Sequence, residues 1–346
     1  GDFAGLLLRL RVEADVAGFA ARRAASAAAG RLRGLGIASY IEAILGAPDE
    51  AAEIAFAQDG TVRLMVGTQS NGQGHETVFA RFLANRSGMP VERIRVVQGD
   101  SDLIPRGGGT GGSRSVTVQT NATIHAVDAA VAAFTPFLAA ELGAEPAFDG
   151  AAFRAPGSNR TVTLIEAAEM ARAAGRDDLL RHRAEARLPG RSYPNGVHAC
   201  EVEVDPETGA VRIDRYTVVD DFGTLLAPQL VEGQVHGGIV QGIGQAVTER
   251  VVYDEQGQLL TATFMDYALP RAEDVPMFRL VSNPVPSARN PVGMKGCGEA
   301  GTVGALAAVA NAVRDALAPA GVRAVDMPFT PLRVWEWLKE AGHDPA

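Results

Sequence analysis

Residues 105–142 run PRGGGTGGSRSVTVQTNATIHAVDAAVAAFTPFLAAEL. The second part is a helix. Ile124, Val127, Val131, Phe134, Leu138 and Leu142 step by 3, 4, 3, 4 and 4, the spacing of one helical face. The first part places five glycines, Gly107, Gly108, Gly109, Gly111 and Gly112, just before Ser113, Arg114 and Ser115. Glycines let backbone N–H groups come close to a ligand, and a helix N-terminus adds partial positive charge. With the full charge of Arg114, the loop suits phosphate or pyrophosphate, unless it is only a tight surface turn. No Gly-Lys-Ser/Thr follows the last glycine, so it is not a P-loop. No acidic residue closes a following strand, so it is not a dinucleotide fingerprint either.

The same arrangement of glycine loop and helix occurs twice more. Residues 61–68, TVRLMVGT, alternate as a strand, with Val62, Leu64 and Val66 on one face. Asn71-Gly72-Gln73-Gly74-His75-Glu76 follows, then a helix with Val78, Phe79, Phe82 and Leu83 on its apolar side. Gln73 and His75 could donate to a heterocycle or a phosphate, or the loop could serve only to cap the helix. The third loop is Lys295-Gly296-Cys297-Gly298-Glu299-Ala300-Gly301, opening a helix with Val303, Leu306, Val309, Val313 and Leu317 on one face. Small neighbours leave the Glu299 carboxylate approachable, as a general base requires. The same residue could instead merely favour the helix N-terminus.

Between these units the chain reads as alternating helices and strands. Residues 4–34 are Ala/Arg-rich helix, and 35–58 have strand character, interrupted at Gly46-Ala47-Pro48. Residues 93–98 are a short strand, 143–160 a polar connection, 163–174 a helix and 175–196 charged and irregular. Residues 197–204 and 210–219 form a hairpin about Asp205-Pro206-Glu207-Thr208-Gly209. Cys200 alternates with Val202 and Val204 and belongs to the core. Asp220-Asp221 at the strand end is expected to be solvated or to cap the hairpin. The segment 230–247 is helical in spacing yet carries five glycines, so it should lie very close to another backbone or a ligand. The expected fold class is α+β, strands and hairpins packed with helices, with the Gly-rich loops at helix N-termini. We divide it into a helical segment, 1–34, and sub-lobes of about 35–150 and 151–346.

Composition removes several functions. Net charge is −9 and no basic stripe is present, so a nucleic-acid partner is not expected. Cys200 and Cys297 are the two cysteines, too few for an iron–sulfur cluster held by this chain alone. The six histidines show no metal-ligand spacing, so no protein metal ligand is expected. No membrane span and no signal peptide are visible, and a cytoplasmic location is expected.

Five collinear stretches carry a resemblance: GTQSNGQGHET (67–77), GDSDLIPRGGGTGGSRS (99–115), YPNGVHACEVEVDPETG (193–209), LVEGQVHGGIVQGIGQAVTE (230–249) and NPVGMKGCGEAGTVGALAAVANAV (290–313). Together they resemble the molybdopterin-binding large subunit of the xanthine dehydrogenase/aldehyde oxidase/carbon monoxide dehydrogenase family. The resemblance implies a molybdenum-bearing molybdopterin cofactor, in its cytosine dinucleotide form. It implies cofactor contacts at Gln73, Gly74, His75, Gly111, Gly112, Ser113, Arg114, Gln241, Gly242, Lys295 and Gly296, and a catalytic base at Glu299. The implied reaction is oxidation of an electron-poor carbon (aldehyde, purine, N-heterocycle or carbon monoxide) with water as the oxygen source. Electrons would leave to a 2Fe-2S subunit and an FAD subunit in a higher-order oligomer.

The family's large subunits are about twice this length. The N-terminal half that packs over the metal's open side is absent, so the chain is expected to need that half for activity. Arg106 and Cys297 are smaller departures. A non-catalytic structural or assembly subunit of the same fold is the alternative.

Overall fold

In a computed structural model, residues 1–44, 46–157 and 159–343 are described. Two helices, α1 (Phe3–Glu13) and α2 (Phe19–Ala28), precede strand β1 (Leu32–Ile41). Then come β2 (Asp49–Phe56), β3 (Val62–Val66), α3 (His75–Ser87), β4 (Ile94–Val97) and the long helix α4 (Ser115–Leu142). A small sheet, β5 (Ala147–Phe148), β6 (Ala152–Arg154) and β7 (Thr161–Thr163), leads to α5 (Leu164–Ala173) and β8 (Arg181–Arg187). The remainder is β9 (Asn195–Val204), β10 (Val211–Asp221), α6 (Pro228–Val247), β11 (Arg279–Ser282), α7 (Ala300–Leu317) and α8 (Pro331–Glu340). The α+β class is as expected.

Two four-stranded sheets organise these elements. One has the order β4-β3-β2-β8 and the other β1-β9-β10-β11. In the first sheet β2 is antiparallel to β3 and β8, and β4 runs parallel to β3. Helix α4 covers this sheet, packing Phe134 and Leu138 against Ile54 and Leu64. By length and composition α4 could cross a membrane, but here it is the core helix of this layer. In the second sheet β9 is buried along almost its whole length, because both of its faces are covered. Cys200, Val202 and Val204 face the core built with α6 and α7, while Val197 and Ala199 meet Leu6 and Leu10 of α1.

The cores do not part at residue 150. β8, in the stretch expected to be irregular, completes the first sheet, and β1 pairs with β9 from Leu32↔Val204 to Ile41↔Asn195. β8 escapes a pattern search because its sequence, RHRAEAR, is largely polar. It buries His182 and Ala186 and turns its arginines outward. The α7 face also differs from expectation. Val303 is exposed, while Ala305, Ala308, Ala312 and Ala316 are buried beside Val309 and Val313. Small residues win there because α7 lies against neighbouring backbone on two sides. On α6 a Cβ at Gly238 would sit 3.0 Å from the Cα of Gly301, so the glycines of α6 serve a close helix crossing.

Candidate functional site

Each of the three glycine loops ends in a helix N-terminus, and their mouths meet. Gly109 N–H donates to the Gly67 carbonyl at 3.2 Å, and Thr110 Oγ1 donates to the Gln69 carbonyl at 2.6 Å. These bonds join the loop before α4 to the loop before α3. The third loop joins through Glu299. Its Oε1 accepts the Gly112 N–H at 3.0 Å, its Oε2 accepts the Ser113 hydroxyl, and its own N–H donates to Ser113 Oγ at 3.1 Å. Glu299 is therefore the N-cap residue of α7 and also a clamp on a loop 186 residues earlier. The junction is tight. A Cβ at Gly296 would fall 1.9 Å from the Ser113 carbonyl oxygen, so only glycine fits there. Ser113 itself has φ of 56°, a conformation that costs a non-glycine residue energy and needs such support.

A cleft of about 230 Å³ opens where the loops meet. Gln73, His75, Gly111, Ser113, Lys295, Gly296 and Glu299 line it. Val78, Phe79, Phe222, Leu226 and Leu230 make an apolar wall. Gly74 is the N-cap of α3 with φ of 78°, and Gly112 acts through its N–H on Glu299.

Three of the expected cofactor contacts are placed elsewhere. Arg114 is buried, and its guanidinium points away from the cleft to pair with Glu50 at 3.0 Å. Its other donors reach the carbonyls of Ala47, Asp49 and Gly109. The full positive charge expected at the anion seat is thus cancelled in place, and Arg114 braces the loop from behind. Gln241 and Gly242 lie at the crossing of α6 and α7, where Gln241 accepts the Thr302 hydroxyl at 3.0 Å and Gly242 abuts Ala305. They do not line the cleft.

The acidic pair at the end of β10 is neither solvated nor a hairpin cap. Asp221 is fully buried, forms an ion pair with Lys295 and accepts the N–H groups of Gly223 and Val285. Asp220 is buried too and accepts the Tyr40 hydroxyl at 2.7 Å; burial holds its carboxyl up at about 7. The Lys295 ammonium is therefore spent on Asp221, and only the rest of that residue faces the cleft. Burial pushes the Cys297 thiol up to about 12, which suits a packed thiol rather than a nucleophile.

The sequence reading missed Glu42, the residue just after the end of β1. Its carboxyl faces both Ser113 and Glu299. No local pattern marks it, since its position depends on how β1 lies against β9.

The sequence profile described as the molybdopterin cofactor-binding domain matches residues 9–276. The chain belongs to that family. It is similar to the carbon monoxide dehydrogenase large chain of Hydrogenophaga pseudoflava, 32% identical over 98% of this chain and 45% of the relative. It is also similar to the nicotine 6-hydroxylase large subunit of Paenarthrobacter nicotinovorans, 32% identical over 96% of this chain and 44% of that one. Among solved structures, reconstituted CO dehydrogenase from Oligotropha carboxidovorans superposes with a TM-score of 0.89 at 30% identity, over 99% of this chain and 46% of that chain. Quinoline 2-oxidoreductase from Pseudomonas putida 86 gives 0.88 at 31%, over 98% and 46%. The chain thus spans a little under half the length of these relatives. Its loops and cleft are those of a molybdopterin-binding large subunit of the xanthine dehydrogenase and carbon monoxide dehydrogenase family.

The cleft fits such a cofactor on its own chemistry. His75 Nδ1 is buried without a hydrogen-bond partner while the ring lines the cleft and packs on Phe79, 4.9 Å between ring centroids. Burial lowers the proton affinity of this imidazole, so the ring is neutral and one nitrogen can accept a donor from a ligand. A Cβ at Gly111 would meet no protein atom, so that glycine keeps cleft space free rather than serving a protein contact. Three helix N-termini add donors suited to an anion.

Proposed function

We propose that this chain is the cofactor-holding C-terminal part of a molybdenum hydroxylase large subunit, with Glu299 as the base of the reaction. The observation that carries this reading is the seating of Glu299. Its carboxylate stands at the meeting point of all three loops, held by the Gly112 N–H and the Ser113 hydroxyl and open to the cleft.

The bound molybdopterin group would supply the two-electron redox chemistry and bring its own metal ligands. Among the described residues, no group of three or more His, Cys, Asp or Glu is placed to hold a metal ion. The protein's part is placement and electrostatics. Gln73, His75 and Gly111, which line the cleft, would hold the group. The apolar wall of Phe79, Phe222 and Leu230 excludes water from one side. Glu299 takes a proton from a water-derived oxygen as that oxygen attacks an electron-poor carbon of an aldehyde, purine, N-heterocycle or carbon monoxide. The donors at Gly112 and Ser113 fix the carboxylate so that its direction is set before substrate arrives.

The cytosine dinucleotide form of the cofactor, an N-terminal half closing the cleft, and 2Fe-2S and FAD partners complete this reading. It is supported by the relatives' greater length and by their names, which include a large chain and a large subunit. Replacing Glu299 with Gln in the assembled enzyme tests it: turnover should be abolished while molybdenum content stays near normal. Turnover retained by E299Q would instead favour a structural or assembly role.

A further inference from the structure

Residues 248–278 join α6 to β11 with a single helical turn, Ala272–Asp274, as regular structure. A connection of that length is uncommon in a compact domain and usually serves binding. The segment is nonetheless fixed. Thr248 Oγ1 donates to the Ala268 carbonyl at 2.7 Å and the Tyr267 hydroxyl donates to Glu249 at 2.8 Å, which ties its middle to the end of α6. The Leu260 N–H donates to the Val252 carbonyl at 2.8 Å, and the Met265 N–H donates to Thr263 Oγ1 at 3.2 Å. At the far end Phe278 is buried against Tyr216 and stacks on His236. Many side chains in between do not go inward. Phe264 is 88% exposed, Met265 94% and Met277 90%. Val251, Tyr253 and Leu260 are exposed as well. Of the seventeen large apolar side chains exposed among the described residues, seven fall in this stretch. Single exposed apolar residues are ordinary, but such a concentration on a fixed frame marks an interaction surface.

We propose that residues 251–277 are the docking surface for a different subunit of the enzyme, which meets them with an apolar pocket ringed by lysine and arginine. This rests on reading the chain as part of a large subunit in a multi-chain enzyme, which relatives named a large chain and a large subunit support. Phe and Met are enriched at the centres of protein interfaces, and the flexible thioether fills an irregular pocket. The surrounding charge selects the partner. Glu249, Asp254, Glu255, Asp266, Glu273 and Asp274 are set against only Arg250 and Arg271 in the same stretch. This acidity repels a phosphate backbone or an anionic lipid surface. A two-fold contact pairs a surface with its own image, so a second copy docking by this patch would set one acidic rim against another. A basic rim on a different polypeptide satisfies both the carboxylates and the apolar anchors. The place in the fold leaves the chemistry undisturbed. Leu230 and Gln234, early in α6, line the cleft, and the 20 residues of α6 carry the chain about 30 Å along, so the segment starts from the end far from the cleft.

Methionine oxidation of the assembled enzyme tests this without a mutation. Dilute peroxide converts an accessible thioether to the sulfoxide, which mass spectrometry reads residue by residue. Buried Met65, Met89 and Met294 set the slow limit, and the urea-unfolded protein sets the fast one. With a subunit seated on the patch, Met265 and Met277 should oxidise at least about 10-fold more slowly in the assembled enzyme than in the unfolded protein. Oxidation of both at the unfolded rate overturns the proposal. Phe264→Glu then identifies the occupant. It should weaken the partner's hold by about 30-fold or more, as loss of a buried aromatic anchor does, and native mass spectrometry should show a chain other than the large subunit released. Phe264→Leu should retain that chain. Release of a second copy of the large subunit by F264E, or continued protection of Met265 with no chain lost, overturns the assignment to a different subunit. Glu299 lies at the cleft, so E299Q decides the reading of the base and leaves the methionine footprint as it was; the two failures are separable.

Discussion

Gly296→Ala is the smallest change that should dismantle the site. The added carbon would lie 1.9 Å from the Ser113 carbonyl oxygen, 2.7 Å from the Ser113 Cβ and 2.8 Å from its carbonyl carbon. Ordinary contact begins at 3.4 Å, so the two loops must part by about 1.5 Å. Two of the obstructing atoms are backbone, and Ser113 is already at positive φ, so no side-chain rotation relieves the clash. Overpacking of this kind costs about 1–3 kcal/mol in stability. The larger effect is on geometry, because the same movement pulls Ser113 and Gly112 off Glu299. A misplacement of about 1 Å at a reacting group costs on the order of 100-fold, so kcat/KM should fall by at least about that factor. Gly298→Ala is the control. Its Cβ would stand 3.2 Å from Ser113 Oγ and 3.6 Å from Ser113 Cα, needing only a few tenths of an ångström. The assay is kcat/KM of both variants in the assembled enzyme, with urea unfolding alongside. If the two variants lose activity equally, or G296A retains it, the loops are not locked together through this contact.

Arg114→Ala and Glu50→Gln should have similar consequences, because each breaks a buried pair and leaves its partner's charge or hydrogen bonds uncompensated, at about 3–5 kcal/mol. Unfolding stability and molybdenum content should fall together in both; a Glu50→Gln protein that holds more cofactor would restore Arg114 as a direct anion ligand. Acid stability should depend on Glu203. Ser26 above all, then Arg212 and Arg33, hold its carboxyl at about 2 against an ordinary 4.5. A depressed value stabilises the fold fully above about 4.5, and that contribution is lost as pH falls from there through about 2. Urea unfolding as a function of pH should therefore show a flatter acid limb in Glu203→Gln, and an unchanged limb would refute the linkage.

The local units of this protein were legible in its sequence, and their partners were not. Each glycine loop with its following helix announced itself through spacing. So did the β9–β10 hairpin, with Cys200 facing inward. The division into lobes failed because strand partners are chosen in three dimensions. β1 leaves the chain segment that follows it and pairs with β9, while β8 returns to β2. Arginine-rich RHRAEAR is a strand only because β2 offers it an edge and α4 covers its His182 and Ala186 face. Charges misled for the same reason. Arg114 reads as an anion contact until Glu50, 64 residues earlier, is found against it. Asp221 reads as solvated until Lys295, 74 residues later, reaches it.

These two hidden pairs change how an anionic cofactor must be held. With Arg114 neutralised by Glu50 and Lys295 by Asp221, neither cation offers the cleft a free charge. The groups left to hold an anion are neutral: loop N–H groups, the N-termini of α3, α4 and α7, Gln73 and the neutral ring of His75. Helix termini and oriented amides attract anions through fixed dipoles at short range, in a partly enclosed space. Mobile ions screen exposed charges strongly but reach such contacts poorly. Cofactor retention should thus change little with ionic strength, whereas a site held by exposed lysines and arginines would lose its ligand. Molybdenum content after prolonged dialysis at low salt and at about 1 M salt, where screening acts over about 3 Å, distinguishes the two. Loss of most of the metal only in the high-salt sample would mean that free cationic side chains hold the cofactor, against the placement of Arg114 and Lys295 described above.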